Sequence, residues 1–220
     1  MAWKSFYLSA GAVATATLPF SAGYSGGLNI PDGPCIIAAN HSSFLDGPLL
    51  ALAYAREKLR PLHMIAYEEP FRNWLLGYFL RAGGCIPFKR GDSGSQSRMM
   101  RTALGWLAAG EAVGIFPEGH INQRLLLNRP RPGAALLALE SGAPILPAAI
   151  IGSNRVLPLG ARLPRPGRRA RVVFGRPLYL MEKEERYRAL PRDERAMLVK
   201  NLGYRIMRAI GMLAGRDCRE

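Results

Sequence analysis

The chain has 220 residues with 49% hydrophobic and 21% charged side chains, which excludes a disordered chain and allows one domain with a sizeable core. Its formal net charge is +14, and 25 of its 30 basic residues are Arg, so its surface suits phosphorylated partners, either nucleic acid or anionic lipid head groups. Three cysteines (Cys35, Cys85 and Cys218) are too few and too scattered for a disulfide framework or a zinc site, and the two in apolar runs read as buried free thiols.

Residues 1–24 carry an apolar stretch rich in Ala, Gly, Ser and Thr with Pro19 near its end. It is marginal for a span, which needs about 20 predominantly apolar residues. An interfacial membrane helix is the leading reading, with a cleaved secretory signal and a buried helix as alternatives. We therefore take 1–30 as a membrane-associating segment with its linker and 31–220 as the folded domain. From there, short apolar runs alternate with helical patterns. Strands are expected at 35–39, 61–66, 85–88, 112–116, 145–151 and 170–174. Helices are expected at 49–58, 71–81, 98–110, 132–141 and from about 192 to 213, with a polar loop at 91–97. Trp74, Leu75, Tyr78 and Phe79 supply the helical spacing of the second helix. This alternation implies an α/β fold with a mostly parallel central sheet flanked by helices, whose site lies at the carboxyl ends of the strands.

Two corners carry the chemistry. The first strand runs into Asn40-His41-Ser42-Ser43-Phe44-Leu45-Asp46. On one regular helix His41 and Asp46 would stand roughly 140° apart, so they meet only if the chain turns between them. A carboxylate that accepts the Nδ1 proton would leave Nε2 as a general base. The plainer reading makes Asp46 a helix cap before Gly47-Pro48 and His41 a loop residue. The second corner is Phe116-Pro117-Glu118-Gly119-His120, where a carboxylate and a glycine at a strand end either meet a ligand or merely turn the chain.

Taken together and in order, these corners resemble the lysophosphatidate (1-acyl-glycerol-3-phosphate) acyltransferase family. Gly84-Cys85-Ile86-Pro87-Phe88-Lys89-Arg90 is similar to its second motif and Gly142-Ala143-Pro144-Ile145-Leu146-Pro147 to its fourth, so the likeness extends over residues 33 to 176. The resemblance implies a glycerolipid acyltransferase-like fold and transfer of a fatty acyl group from acyl-CoA or acyl carrier protein to a lysophospholipid hydroxyl. It gives His41 as base, Asp46 as its partner, Lys89 and Arg90 on the acceptor phosphate, Glu118 and Gly119 in the acceptor pocket, and Pro147 near the acyl chain. Neither a metal nor a resident cofactor is expected. The family continues Glu-Gly with Thr-Arg-Ser, whereas this chain has His120-Ile121-Asn122. The arginine absent at Ile121 leaves Arg124, Arg129 and Arg131 as candidate substitutes and puts the acceptor head group in question.

Seven arginines (155, 162, 165, 168, 169, 171 and 176) and no acidic residue lie between Ser141 and Met181. Aromatics interleaved for base stacking are missing there, which favours an anionic phospholipid membrane over nucleic acid. The expected place is the cytoplasmic face of the cell membrane, held peripherally or monotopically. Two rivals are a hydrolase built on Gly23-Tyr24-Ser25-Gly26-Gly27 and a basic binding protein without catalysis. Asn40-His41-Ser42 also matches a glycosylation sequon.

Overall fold

The computed structural model describes residues 21–124, 126–181 and 186–218. Among these, seven strands form one sheet: β1 (Ser21–Ser25), β2 (Ile36–Ala39), β3 (Leu62–Tyr67), β4 (Ile86–Phe88), β5 (Ala112–Ile115), β6 (Ile145–Ile151) and β7 (Arg169–Phe174). Their spatial order is β1-β7-β6-β2-β5-β3-β4. From β6 to β4 every pairing is parallel; β7 runs antiparallel to β6, and β1 follows β7 in parallel. The expected α/β fold with a mostly parallel sheet is therefore present. All of β2 and β5 is buried, as strands covered on both faces require, which is why they read as unbroken apolar runs.

The helices are α1 (Asp46–Lys58), α2 (Trp74–Ala82), α3 (Ser93–Ala108), α4 (Gly133–Ser141), the short α5 (Ser153–Val156) and α6 (Arg192–Ala214). Successive strand residues point to opposite faces, and the core divides accordingly. Ile36, Ala38, Val113 and Ile145 pack with Met99 and Ala103 of α3, Leu137 of α4, and Ile206 and Ile210 of α6. Ile37, Ala39, Leu146 and Val172 pack with Leu50 and Tyr54 of α1. Burial pushes the Cys35 thiol up to about 12 and the Cys85 thiol up to about 11, in keeping with inert free cysteines.

Three features depart from the sequence pattern. Residues 21–25 form an edge strand and Ile30 is buried, so the stretch read as linker belongs to the folded sheet; the apolar residues 1–20 lie outside the described residues. The polar 91–97 stretch is mostly the first turns of α3, where the Asp92 carboxylate accepts the Ser95 N–H as a cap and Ser95, turned inward, accepts the Lys89 N–H, while Ser93, Gln96 and Ser97 are exposed. α2 is a helix, but Trp74, Leu75, Tyr78 and Phe79 are exposed. Among the described residues no helix is long and apolar enough to cross a membrane.

Candidate active site

The site lies where β2 and β5 end side by side. Asn40 fixes the first corner: its Nδ2 donates to the Ile150 carbonyl (2.9 Å) and its Oδ1 accepts the Ile150 N–H (2.7 Å), clamping the chain to β6. Both ends of that amide are engaged inside the fold, so Asn40 does not present the sequon to solvent. The chain then folds back on itself before α1 begins at Asp46. Asp46 is fully buried, and its Oδ2 accepts from His41 Nδ1 (3.0 Å), the Ser42 N–H (2.5 Å) and the Ser43 N–H (2.8 Å). Its Oδ1 has no hydrogen-bond partner among the described residues. The carboxylate thus reaches back to residues that precede it, not forward to the first turn of α1. The cap reading is not what the structure shows.

Because the carboxylate accepts, His41 Nδ1 is the donor of that bond, and Nε2 is the nitrogen left to act as a base. The ring lies flat on Phe116, centroids 4.0 Å apart and planes at 7°, which sets its rotation. Its side chain is 19% exposed, so the ring is reached from solvent.

The second corner locks onto the first through Glu118. Glu118 is fully buried and its oxygens accept from the protein itself: Oε1 from the His41 N–H (3.1 Å), Oε2 from Asn122 Nδ2 (2.6 Å) and the Asn128 N–H (3.0 Å). It holds the His41 backbone from inside the fold. A buried carboxylate requires such donors, and the asparagines two and eight residues past His120 provide them. The Asn122 N–H also donates to the His41 carbonyl (2.6 Å), and Gln123 Nε2 to the Ser42 carbonyl (3.1 Å). Sequence reasoning missed Asn122, Gln123 and Asn128; for the first two, an acid followed by amide side chains was the available signal, whereas Asn128 acts through its backbone N–H.

Gly119 is the meeting point of the basic groups. Its carbonyl accepts from the Tyr67 hydroxyl and from Arg90 Nη2 (2.7 Å), and the Arg90 guanidinium lies 5.5 Å from the Tyr67 ring centroid. With φ +69°, Gly119 adopts a conformation that side chains disfavour, and a Cβ there would stand 3.0 Å from Arg131 Cγ and 3.5 Å from Arg90 Nη2. Arg131, anchored by its N–H on the Pro117 carbonyl (2.7 Å), is therefore the candidate substitute that the fold brings beside Arg90. Arg124 uses its N–H on Asn122 Oδ1 (3.0 Å). Lys89 is exposed, with its backbone N–H on Ser95 Oγ (2.9 Å). Pro147 sits mid-strand in β6, buried, in register with Ala38 and packed on Gly175, so it belongs to the sheet interior and not to the strand ends where the others meet. Among the described residues no group of three His, Cys, Asp or Glu side chains is placed to hold a metal ion.

The hydrolase reading fails on placement. A strand, β1, does precede Ser25, but a three-residue 3₁₀ turn follows where a helix is required. β1 also runs opposite to β2, so Ser25 ends at the sheet edge away from His41.

Comparison with known proteins agrees with this geometry. The family model described as Acyltransferase matches residues 23–151, which takes in both corners. The chain is 29% identical over 154 residues to the chloroplastic 1-acyl-sn-glycerol-3-phosphate acyltransferase BAT2 of Brassica napus, covering 69% of this chain and 43% of that protein, so it spans less than half of that relative's length. It is 31% identical over 181 residues to the 1-acyl-sn-glycerol-3-phosphate acyltransferase of Bacillus subtilis, covering 81% of this chain and 82% of that one. The crystal structure of the 1-acyl-sn-glycerophosphate (LPA) acyltransferase PlsC from Thermotoga maritima shares the fold, with a TM-score of 0.66 and 22% identity over 92% of this chain and 79% of that one. With both corners inside the matched region, the chain belongs to the acyltransferase family, among relatives that are 1-acyl-sn-glycerol-3-phosphate acyltransferases.

Proposed function

We propose that this protein is an O-acyltransferase that moves a fatty acyl group from the thioester of acyl-CoA or acyl carrier protein to the free hydroxyl of a lysophospholipid, 1-acyl-glycerol-3-phosphate being the best fit. The observation that carries this reading is the buried Asp46 carboxylate on His41 Nδ1, with Arg90 and Arg131 both against Gly119 of the adjoining corner. His41 Nε2 takes the hydroxyl proton as the acceptor oxygen attacks the thioester carbonyl. The tetrahedral intermediate then collapses, its carbon–sulfur bond breaks, and the thiolate takes the proton back from His41. Asp46 stabilises the imidazolium formed between these steps. Two guanidinium groups suit a phosphate monoester, which they grip with fork-shaped donor sets. Lys89 supplies a further exposed cation beside them.

The acceptor's lipid nature and the basic loops favour work at an anionic phospholipid membrane, on the cytoplasmic face, with no nucleic-acid partner. A second reading keeps the chemistry and changes the head group, since Ile121 stands where the family carries arginine. The test offers labelled palmitoyl-CoA, then acylated carrier protein, to the purified protein with a panel of lysophospholipids and His41→Ala as control. Label in phosphatidate that vanishes in the variant supports the first reading. Label solely in another lipid moves the assignment to the second. No transfer from either donor to any acceptor ends both.

A further inference from the structure

A surface helix ordinarily turns its apolar stripe inward, and α2 does the reverse. Its one buried residue is Gly77, which meets the fold backbone to backbone: a Cβ there would stand 2.4 Å from the Phe71 carbonyl oxygen. Trp74, Leu75, Leu76 and Tyr78 are 82%, 48%, 47% and 64% exposed. At about 100° per residue these four cover one arc of roughly 200°. No acidic residue lies in α2 and Arg81 lies in its last turn, while Arg72, which precedes it, is paired with Glu68 (3.3 Å). Isolated exposed apolar residues need no explanation, but a contiguous set of this size marks an interaction surface.

Position and charge say what covers it. The chain leaves β3 at the site end of the sheet with Tyr67, whose hydroxyl touches Gly119, passes through a 3₁₀ turn (Glu69–Arg72) into α2, and then enters β4, whose Phe88 ring lies 5.6 Å from Tyr67. At the same end, the loop from β6 to β7 carries Arg155, Arg162, Arg165 and Arg168 with exposed Leu159 and Leu163 and no acidic residue. Ser21 pairs with Arg169, so the start of β1 also lies at this end, across six strand spacings from β4, roughly 29 Å away. Exposed Trp and Tyr with leucines, at the same end as a β6–β7 connection whose arginines have no acidic residue among them, match the headgroup boundary of an anionic bilayer, where aromatic rings settle and basic groups meet lipid phosphates.

We propose that α2 is a bilayer-docking helix whose Trp74, Leu75, Leu76 and Tyr78 face enters an anionic phospholipid surface and sets the mouth of the site at the level where a lysophospholipid lies. Its purpose rests on the lipid-acceptor reading above; the docking itself does not. The test uses the full chain carrying Tyr78→Cys, with Cys85→Ser and Cys218→Ser, labelled with an environment-sensitive fluorophore. A parallel label at Lys200→Cys, exposed on α6, serves as control. Vesicles of phosphatidylcholine with and without phosphatidylglycerol, carrying lipids brominated on the acyl chain, are then added. The position-78 label is expected to shift to the blue and be quenched on vesicles with phosphatidylglycerol, and the position-200 label is expected to stay unchanged. In Trp74→Gln/Leu75→Gln/Leu76→Gln, KM for lysophospholipid presented in vesicles is expected to rise about tenfold or more. Its kcat/KM for a short-chain acceptor dissolved as monomer is expected to stay at the wild-type value. A position-78 label that is unquenched while the protein sediments with vesicles overturns the proposal. So does a label already blue-shifted without vesicles, which makes residues 1–20 the cover, or a dimer that the triple variant splits, which makes the cover a second copy. If no acceptor is acylated at all, the acyltransfer reading fails while the quenching still decides whether α2 docks.

Discussion

His41 and His63 are held in almost the same way. His41 stacks on Phe116 with centroids 4.0 Å apart and planes at 7°; His63 stacks on Trp106 at 3.9 Å and 6°. Each places Nδ1 3.0 Å from an oxygen acceptor. The difference lies in the acceptor and in access. His41 meets the Asp46 carboxylate and keeps a 19% exposed side chain. His63 meets the Gly84 carbonyl, is 3% exposed, and has a buried Nε2 with no partner among the described residues. A carboxylate offsets the charge an imidazole gains when it takes a proton; a carbonyl inside apolar surroundings does so far less. Burial accordingly pushes His63 below the ordinary histidine pKa, with the Gly84 hydrogen bond opposing that shift in part. A stacked, anchored imidazole is therefore no sign of a base. The anion behind it and the access from solvent make the distinction.

Mutation can break this comparison at several points. The largest effect is expected from His41→Ala, with kcat falling about 10²–10⁴-fold and the melting temperature little changed. His63→Ala should keep wild-type turnover per folded molecule and lose stability; a loss of kcat like that of His41→Ala would erase the distinction. Asp46→Asn keeps the shape and removes the anion, so kcat should fall by about 10²-fold or more, read by steady-state kinetics. Glu118→Gln takes the charge from three donors and should cost about 2–3 kcal/mol in urea unfolding, with a smaller loss of kcat through His41's displaced backbone. Arg131→Ala should raise KM for a phosphate-bearing acceptor about tenfold while leaving kcat and a neutral acceptor unaffected. The smallest effect is a pH dependence. His63 has a lowered folded pKa, so its stabilising neutral form is fully present above the unfolded value of about 6.5. That contribution is lost as pH falls from there through the folded value, because the unfolded chain binds the proton first. Melting temperatures across this window should drop more steeply in wild type than in His63→Gln.

Much of the fold was legible because parallel strands buried on both faces need uninterrupted apolar runs, and β2, β5 and β6 have them. β1 was not legible: Ser-Ala-Gly-Tyr-Ser has neither alternation nor bulk, and its strand form comes from pairing with β7 across 148 residues. The start of α3 was hidden by its polar first turns, whose helical state rests on one capping carboxylate.

At the site, sequence by itself determined which groups are chemically able to act: a histidine and an aspartate flanking one strand-to-helix corner, and a run of arginines with no balancing acid. Tertiary structure decided which of them meet. It turned Asp46 back onto His41, and it drew Glu118 inward as a clamp on His41's backbone. It brought Arg131 beside Arg90 across a loop while leaving Pro147 in the sheet interior, and it set the apolar arc of α2 facing outward. The physical reason is that residue type fixes what a side chain offers, a proton, a charge or an apolar surface. Whether that offer faces solvent, substrate or another buried group depends on strand order and loop closure, which no local pattern encodes.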